Sequence, residues 1–324
     1  MRVYAVIPVA PFEPESVITK SIECFKELEC DTFTFEVHYV IDSFPGDKRD
    51  LQWQLPDNFK IMLRNTNRGR RAGAINDFLK EIKDADYVAI FDVDCRPAKD
   101  YIVKCVAALE ADDSAVLSQG CRVINNMSNV LTKNASLESN FLCELNQFLS
   151  RSHNFLAFMG PMVVRGSFLE RETFNEEVID EVFDMLTRMY LKGEVAVLAK
   201  TTMGEQAPIT LKDLYHQRVR WSRGMVESFS RYFIPMVKAP IPFTRKMSWL
   251  SIIIFSTSQF LFSPVVLLRL DKILELSDGP LEFIKLLVGG IGYSCLMTIC
   301  GFVAISQHIT SSKSKRRPLT RSDL

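Results

Sequence analysis

Closely paired cysteines are missing from this 324-residue chain: its eight cysteines lie at 24, 30, 95, 105, 121, 143, 295 and 300, without a CxxC or any His/Cys cluster of zinc spacing. That excludes the common zinc modules, and the thiols read as reduced, in a cytosolic body or facing a bilayer. An excess of one charge is missing too, with 39 Lys plus Arg against 39 Asp plus Glu. No bulk field therefore favours nucleic acid. Neither G-x-G-x-x-G nor a Walker P-loop occurs, which argues against dinucleotide or ATP sites of those kinds. No internal repeat or low-complexity tract precedes the basic tail, and no apolar leader precedes the β-like run Arg2-Val3-Tyr4-Ala5-Val6-Ile7-Pro8. Nothing there argues for secretion of the body.

What is present is alternation. Apolar, β-rich runs Val3 to Pro8, Phe35 to Ile41 and Tyr87 to Phe91 alternate with helical patterns Ser16 to Leu28, Ala72 to Ile82 and Asp100 to Leu109. Such alternation predicts βαβ units and a mostly parallel, Rossmann-like sheet with flanking helices. Ligands bind beyond the carboxyl ends of such strands, where Asp42 and Asp92 stand.

Four polar signatures follow in order. Asp42, ending Tyr39-Val40-Ile41, is placed to accept from a base or ribose, or to cap a turn. Asp92 and Asp94 follow Val88-Ala89-Ile90-Phe91, so a strand would deliver both carboxylates to its end with Val93 pointing the other way. Their oxygens suit Mg²⁺ or Mn²⁺ bridging a diphosphate. Asn67 to Asn76 packs arginines, among them Arg71, and glycines at a helix start, a phosphate site or a surface-paired basic loop. Asp180-Glu181 opens a helix closed by Gly193, where a carboxylate either takes a proton from an acceptor or only complements the helix dipole. Gln217, Arg220 and Trp221 share a spacing of three and four, a helical face for diphosphate and sugar or a basic helix on anionic lipid.

Trp249 to Leu268 and Leu286 to Ile305 each run about twenty residues without a charge, the length that crosses a bilayer. Two transmembrane helices are expected, with buried core helices as the alternative. Arg245 and Lys246 precede the first and Lys313, Lys315, Arg316 and Arg317 follow the second, while Asp271 to Glu282 is mildly acidic. The positive-inside rule puts body and both termini in the cytoplasm and the connector outside. Gly289, Gly290, Gly292, Ser294 and Gly301 form a small face for the first span or another subunit. The expected divisions are a body over 1–230, an interfacial segment over 231–247 whose prolines block one continuous helix, spans over 248–306 and a tail over 307–324.

From Val3 to Gly224 these motifs resemble glycosyltransferase family 2, inverting enzymes of GT-A fold, particularly the membrane branch of hyaluronan, cellulose and chitin synthases and ceramide glucosyltransferase. The resemblance makes Asp42 the nucleoside-binding aspartate and Arg71 the counterpart of a lysine near the donor phosphates. It makes Asp92-Val93-Asp94 the metal and diphosphate motif, the segment Gly160 to Arg165 an acceptor-side element, and Gln217 to Trp221 a QxxRW word. One motif departs: alignment through Asp184, Arg188 and Gly193 puts Val182 on the usual base. Glu181, or Asp180, is then expected to serve.

The resemblance implies metal-dependent transfer from a nucleotide sugar, by resemblance UDP-linked, to a lipid-linked or membrane-proximal glycan acceptor. A processive polysaccharide synthase, a sugar-phosphate nucleotidyltransferase and an inactive membrane scaffold are the rivals. No nucleic acid partner is expected, and self-association through the spans is a further option.

Overall fold

The computed structural model describes residues 1–310 apart from 31, 45, 48, 50–52, 158–159 and 260–268. In chain order the elements are β1 (Arg2–Val9), α1 (Glu15–Lys26), β2 (Thr34–Asp42), β3 (Phe59–Arg64), α2 (Arg70–Glu81), β4 (Tyr87–Ile90), β5 (Arg96–Pro97), α3 (Tyr101–Glu110), β6 (Ala115–Ile124), α4 (Val130–His153), β7 (Met162–Arg165), α5 (Gly166–Leu169), α6 (Glu181–Leu191), β8 (Val195–Glu205), α7 (Leu211–Lys238), α8 (Phe243–Thr257), α9 (Leu270–Glu275) and α10 (Pro280–Ile309). Among the described residues one sheet runs β3-β2-β1-β4-β7-β6-β8-β5. The half from β3 to β4 is parallel. β7 is antiparallel to both its neighbours, β6 and β8 run parallel, and β5 is antiparallel to β8. The sheet is therefore mixed.

The parallel half forms because its strands are apolar on both faces. Tyr87 to Ile90 are all buried, as a strand covered by helices on both sides requires. One face packs Val6, Val40, Val88 and Ile90 against Ile75 and Phe78 of α2. The other packs Ile7, Ile41 and Ala89 against Ile18 and Phe25 of α1 and Ile102 and Val106 of α3. Each such aliphatic or aromatic side chain contributes about 1.5–3 kcal/mol.

The C-terminal part packs on the body. α7 continues through Pro235 and stops at Ala239, ahead of Pro240 and Pro242. α8 then puts Trp249, Ile252 and Ile253 into the core beside Phe183 and Met189, and Trp249 Nε1 donates to Thr187 Oγ1 at 3.0 Å. The rest of the first expected span, 260–268, lies outside the described residues. Among the described residues one helix, α10, is long and apolar enough to cross a membrane.

The connector does not stand apart from the body. Lys133 of α4 donates to the Leu276 carbonyl at 2.9 Å and pairs with Glu282, and Ile273 packs with Leu137 and Leu286. A two-span hairpin would hold it a bilayer's thickness away, about 30 Å. That contact holds the connector against α4. One correction concerns the thiols: Cys121 of β6 and Cys143 of α4 form a disulfide. Cys24, Cys30, Cys95, Cys105, Cys295 and Cys300 remain thiols.

Candidate active site

Parallel strands β2 and β4 end side by side with β1 between them, so Asp42 and Asp92 emerge on the same rim of the sheet. Asp42 is paired in register with Arg64 of β3. Arg64 Nη1 donates to Asp42 Oδ1 at 2.6 Å, and its other nitrogens reach Asp77 at 3.0 Å and the Arg68 carbonyl at 2.8 Å. Burial pushes the Asp42 carboxyl up to about 6, against the pull of Arg64.

Next on the rim come Asp92 and Asp94, with Val93 buried between them as the period of two predicts. Arg71 enters from the first turn of α2. Gly73 permits this geometry, because a Cβ there would stand 2.0 Å from the Arg68 carbonyl oxygen. Arg71 Nε donates to Asp92 Oδ1 at 2.7 Å, and Nη1 to Glu181 Oε1 at 3.3 Å. Burial works against its charge, yet Asp92 and Glu181 raise its pKa overall. One guanidinium thus links the Asp-x-Asp turn to the acidic pair.

The acidic pair is held from two sides. Asn76 of α2 donates to the Phe174 carbonyl at 2.8 Å and accepts from Phe174 N at 3.0 Å, fastening the loop that leads to α6. Asp180 is the N-cap of α6, accepting from Phe183 N at 3.0 Å, as its residue type favours. Burial and the neighbouring Glu181 raise its pKa. Gly224 of α7 lies against it so closely that a Cβ would meet Asp180 Cβ at 2.4 Å. That contact seats the Gln217 to Trp221 turn beside the acids.

A cavity of about 740 Å³ joins these groups: Asp42, Arg71, Asp92, Asp94, Asp180, Glu181, Gln217, Arg220 and Trp221 all line it. Its size falls within the roughly 300–1,000 Å³ of small-molecule sites. Val182 also lines it, where it offers no proton acceptor. Asp184 does not, being bonded to Arg188 at 2.9 Å and to Tyr232 at 2.7 Å.

Gly160 joins the lining and Arg165 does not. Because β7 is antiparallel to β4, Arg165 is paired with Tyr87 at the amino end of β4, opposite Asp92. It donates there to the Ala115 carbonyl at 2.8 Å and the Tyr87 hydroxyl at 3.1 Å. Arg165 therefore stands away from the cavity that Gly160 lines.

Glu205 and Arg122 were not foreseen. Glu205 ends β8 on the cavity wall, 3.6 Å from Arg122, and the Arg122 guanidinium lies 5.7 Å from the Trp221 ring centroid. Burial pushes Glu205 up to about 7 against Arg122, with Asp94 and Asp92 adding to the rise. Glu205 follows Lys200-Thr201-Thr202-Met203-Gly204, so no apolar run ends on it as one does at Asp42. Among the described residues no cluster of three or more His, Cys, Asp or Glu side chains is poised to hold an ion alone. Asp92 and Asp94 still fit a divalent cation, since Mg²⁺ sites use one or two carboxylates completed by phosphate oxygens and water. The mutual repulsion felt at Glu205 is what a cation would relieve.

The profile of the Glycosyl transferase family group 2 matches residues 87–306. The chain belongs to that family, and its sheet with flanking helices is GT-A-like. It is similar to the beta-monoglucosyldiacylglycerol synthase of Trichormus variabilis, 25% identical over 72% of this chain and 51% of that protein. Glucomannan 4-beta-mannosyltransferase 9 of Arabidopsis thaliana is 29% identical over 54% of this chain and 34% of its own length. The chain spans about half the length of the curated glucosyldiacylglycerol synthases it matches. Among solved structures, the mannosyltransferase PcManGT of Pyrobaculum calidifontis, in complex with GDP-Man and Mn²⁺, superposes with a TM-score of 0.62 at 17% identity, over 96% of this chain and 88% of that one. S. aureus TarS 1-349, in complex with UDP-GlcNAc, does so with 0.51 at 15% identity, over 97% and 93%.

Proposed function

We propose that this chain is an inverting glycosyltransferase that moves a sugar from a nucleotide diphosphate carrier to a hydroxyl of a lipid or lipid-linked acceptor at a membrane surface. The single observation carrying it is the convergence of four sequence-distant signatures on one cavity. Asp42 receives the nucleoside. Arg71 and Arg220 face the diphosphate, where guanidinium forks suit phosphate oxygens. Asp94, with Asp92, would hold Mg²⁺ or Mn²⁺, whose charge would neutralise the leaving diphosphate. Glu181, or its neighbour Asp180, takes the proton of the attacking hydroxyl. Trp221 offers an aromatic wall to the sugar.

Membrane attachment is supported by an apolar surface. Ile284, Val288, Ile291, Ile299 and Phe302 of α10 are exposed, as are Phe233, Ile234 and Val237 of α7 and Phe243 and Met247 of α8. A face this size seeks lipid or protein. The glucosyldiacylglycerol synthase relatives favour a lipid acceptor.

The test is incubation of membranes carrying the full chain with a panel of labelled nucleotide sugars. Lipid-extractable product of one added sugar supports the reading. Polymer alone would make it a processive synthase, pyrophosphate release a nucleotidyltransferase, and no turnover of any donor a scaffold.

A further inference from the structure

Helix α4 supports the Trp221 side of the cavity through Glu138, Ser139 and Cys143. Glu138 holds Arg218, whose guanidinium backs the Trp221 ring at 4.6 Å. Ser139 Oγ grips Arg122 twice, accepting from Nε at 3.3 Å and donating to the Arg122 carbonyl at 2.8 Å. Cys143, one turn further on, is bonded to Cys121, the residue before Arg122. Arg122 in turn lies 3.6 Å from Glu205 and 5.7 Å from the Trp221 ring centroid. Among the described residues this cystine is the one covalent link between α4 and the sheet. Without it, the wall formed by Arg122, Glu205 and Trp221 rests on hydrogen bonds, ion pairs and packing. The nucleotide half of the cavity is built differently: the side chains of Asp42, Arg71 and Asp92 bond to Arg64, Glu181 and each other.

The bond is also placed to be opened. Cys121 and Cys143 are both partly exposed. Gln147 Nε2 donates to the Cys143 sulfur at 3.5 Å, which favours charge on that sulfur as it departs. The other six cysteines remain thiols. In reducing compartments, where thiols persist, a cystine that does form is usually transient and redox-sensing.

We propose that Cys121–Cys143 is a redox modification site that controls the sugar-facing wall of the cavity. Closed, it holds Arg122 and Trp221 in place; opened by a dithiol, it lets α4 move against β6 and slows transfer. The proposal rests on the transferase reading above and adds a control to it. A thiolate of the dithiol attacks the Cys121 sulfur, the S–S bond breaks and Cys143 leaves as a thiolate. The second thiol of the reductant then displaces Cys121. The cystine gains two electrons and two protons, and the dithiol is oxidised to a disulfide.

The test compares membranes carrying the full chain after oxidation and after treatment with dithiothreitol and its removal, with the cystine counted by mass spectrometry. Transfer should be at least about tenfold slower in the reduced protein, since small misplacements at a reacting centre cost that much. Mn²⁺-supported UDP affinity should not change. The double variant Cys121→Ser, Cys143→Ser should match the reduced protein with or without dithiothreitol, which separates the effect from the six other thiols. Equal transfer in the oxidised and reduced protein overturns the proposal, as does a dithiothreitol response that persists in the double variant or a cystine missing from the oxidised protein. A parallel loss of UDP binding overturns it too, because the bond would then only stabilise the fold. If the variant does not fold, the two states of the wild type decide. If no donor is turned over in either state, the transferase reading falls, and Trp221 emission, identified by Trp221→Phe, decides instead: a shift on reduction keeps the device, and an unaltered emission overturns it.

Discussion

Arg218 of α7 and Glu138 of α4 form a buried ion pair across 80 residues of sequence, Nη1 on Oε1 at 3.2 Å. Gln259 Nε2 donates to the same carboxylate at 2.9 Å, and so does the Tyr293 hydroxyl at 2.9 Å. Arg218 thus turns away from the cavity that Gln217, Arg220 and Trp221 line, while its guanidinium backs the Trp221 ring at 4.6 Å. Burial would push Glu138 up, but Arg218 and Arg122 hold it below the ordinary carboxylate range. Glu138→Gln leaves a buried guanidinium unpaired, and urea denaturation should show a loss of about 3–5 kcal/mol. Joint replacement by Leu and Met should recover most of it. An unaltered Glu138→Gln midpoint would mean that the pair is not buried.

The metal role is tested at Asp94, which lines the cavity beside Asp92. Asp94→Asn should lower Mn²⁺-supported turnover about a thousandfold, some 4 kcal/mol at 1.36 kcal/mol per decade. Sedimentation with membranes should not change. Turnover that survives both this variant and EDTA would remove the metal from the scheme.

Glu181 is bonded to Arg71 as the chain stands. In the proposed reaction a donor diphosphate would draw on that guanidinium while Glu181 takes the proton of the acceptor. Asp180 already spends one oxygen capping α6. Glu181→Gln should therefore cut turnover by about 10²–10⁴. Asp180→Asn should cost less than about tenfold, because asparagine caps a helix as well as aspartate does. The opposite ranking moves the base to Asp180.

The Cys121–Cys143 disulfide ties β6, one residue before Arg122, to α4 over a sequence separation of 22. Closing a loop of that size stabilises by about 3 kcal/mol. Thermal melts should place the double serine variant below the oxidised protein and level with the protein in dithiothreitol. Equal melting of all three would deny the bond a stabilising role.

The parallel half of the sheet was legible because β1, β2 and β4 are apolar on both faces, and three of its helices follow a 3.6 period. β7 was not: four residues paired antiparallel between distant strands leave no periodic trace, and that reversal is what places Arg165 beside Tyr87 at the amino end of β4. α4 was missed for a different reason. It buries Asn134, Ser136, Glu138, Ser139 and Asn146, which a hydropathy pattern assigns to solvent, and its charged partner is supplied by another helix. Asp42, Arg71, Asp92 and Asp180 were legible because each sits at or just past an element end, where local pattern and chemistry coincide, whereas Gln217 to Trp221 lies about two turns inside α7 and was legible by its residue types alone. α10 shows the limit of hydropathy, since Leu286, Gly290, Tyr293, Met297 and Cys300 turn to the protein and the opposite face to the surroundings.

Acidification should separate nucleotide binding from folding. Burial pushes the Asp42 carboxyl up to about 6 from an ordinary 3.8, more than Arg64 pulls it down. Only the ionised form is purely an acceptor for the nucleoside, so UDP affinity in the proposed site should be flat above about pH 7 and fall below about pH 6, approaching tenfold per unit. Stability has the opposite sign. A carboxyl whose pKa is raised by folding contributes stability that is fully present below its unfolded pKa and lost as pH rises through the folded one. Between about pH 4 and 6 this residue therefore favours the fold on acidification while the site loses its ligand. Asp42→Asn does not titrate, and both slopes should vanish together in that variant. A UDP affinity that still falls in Asp42→Asn would assign the proton to another group in the cavity or to the terminal phosphate of the nucleotide.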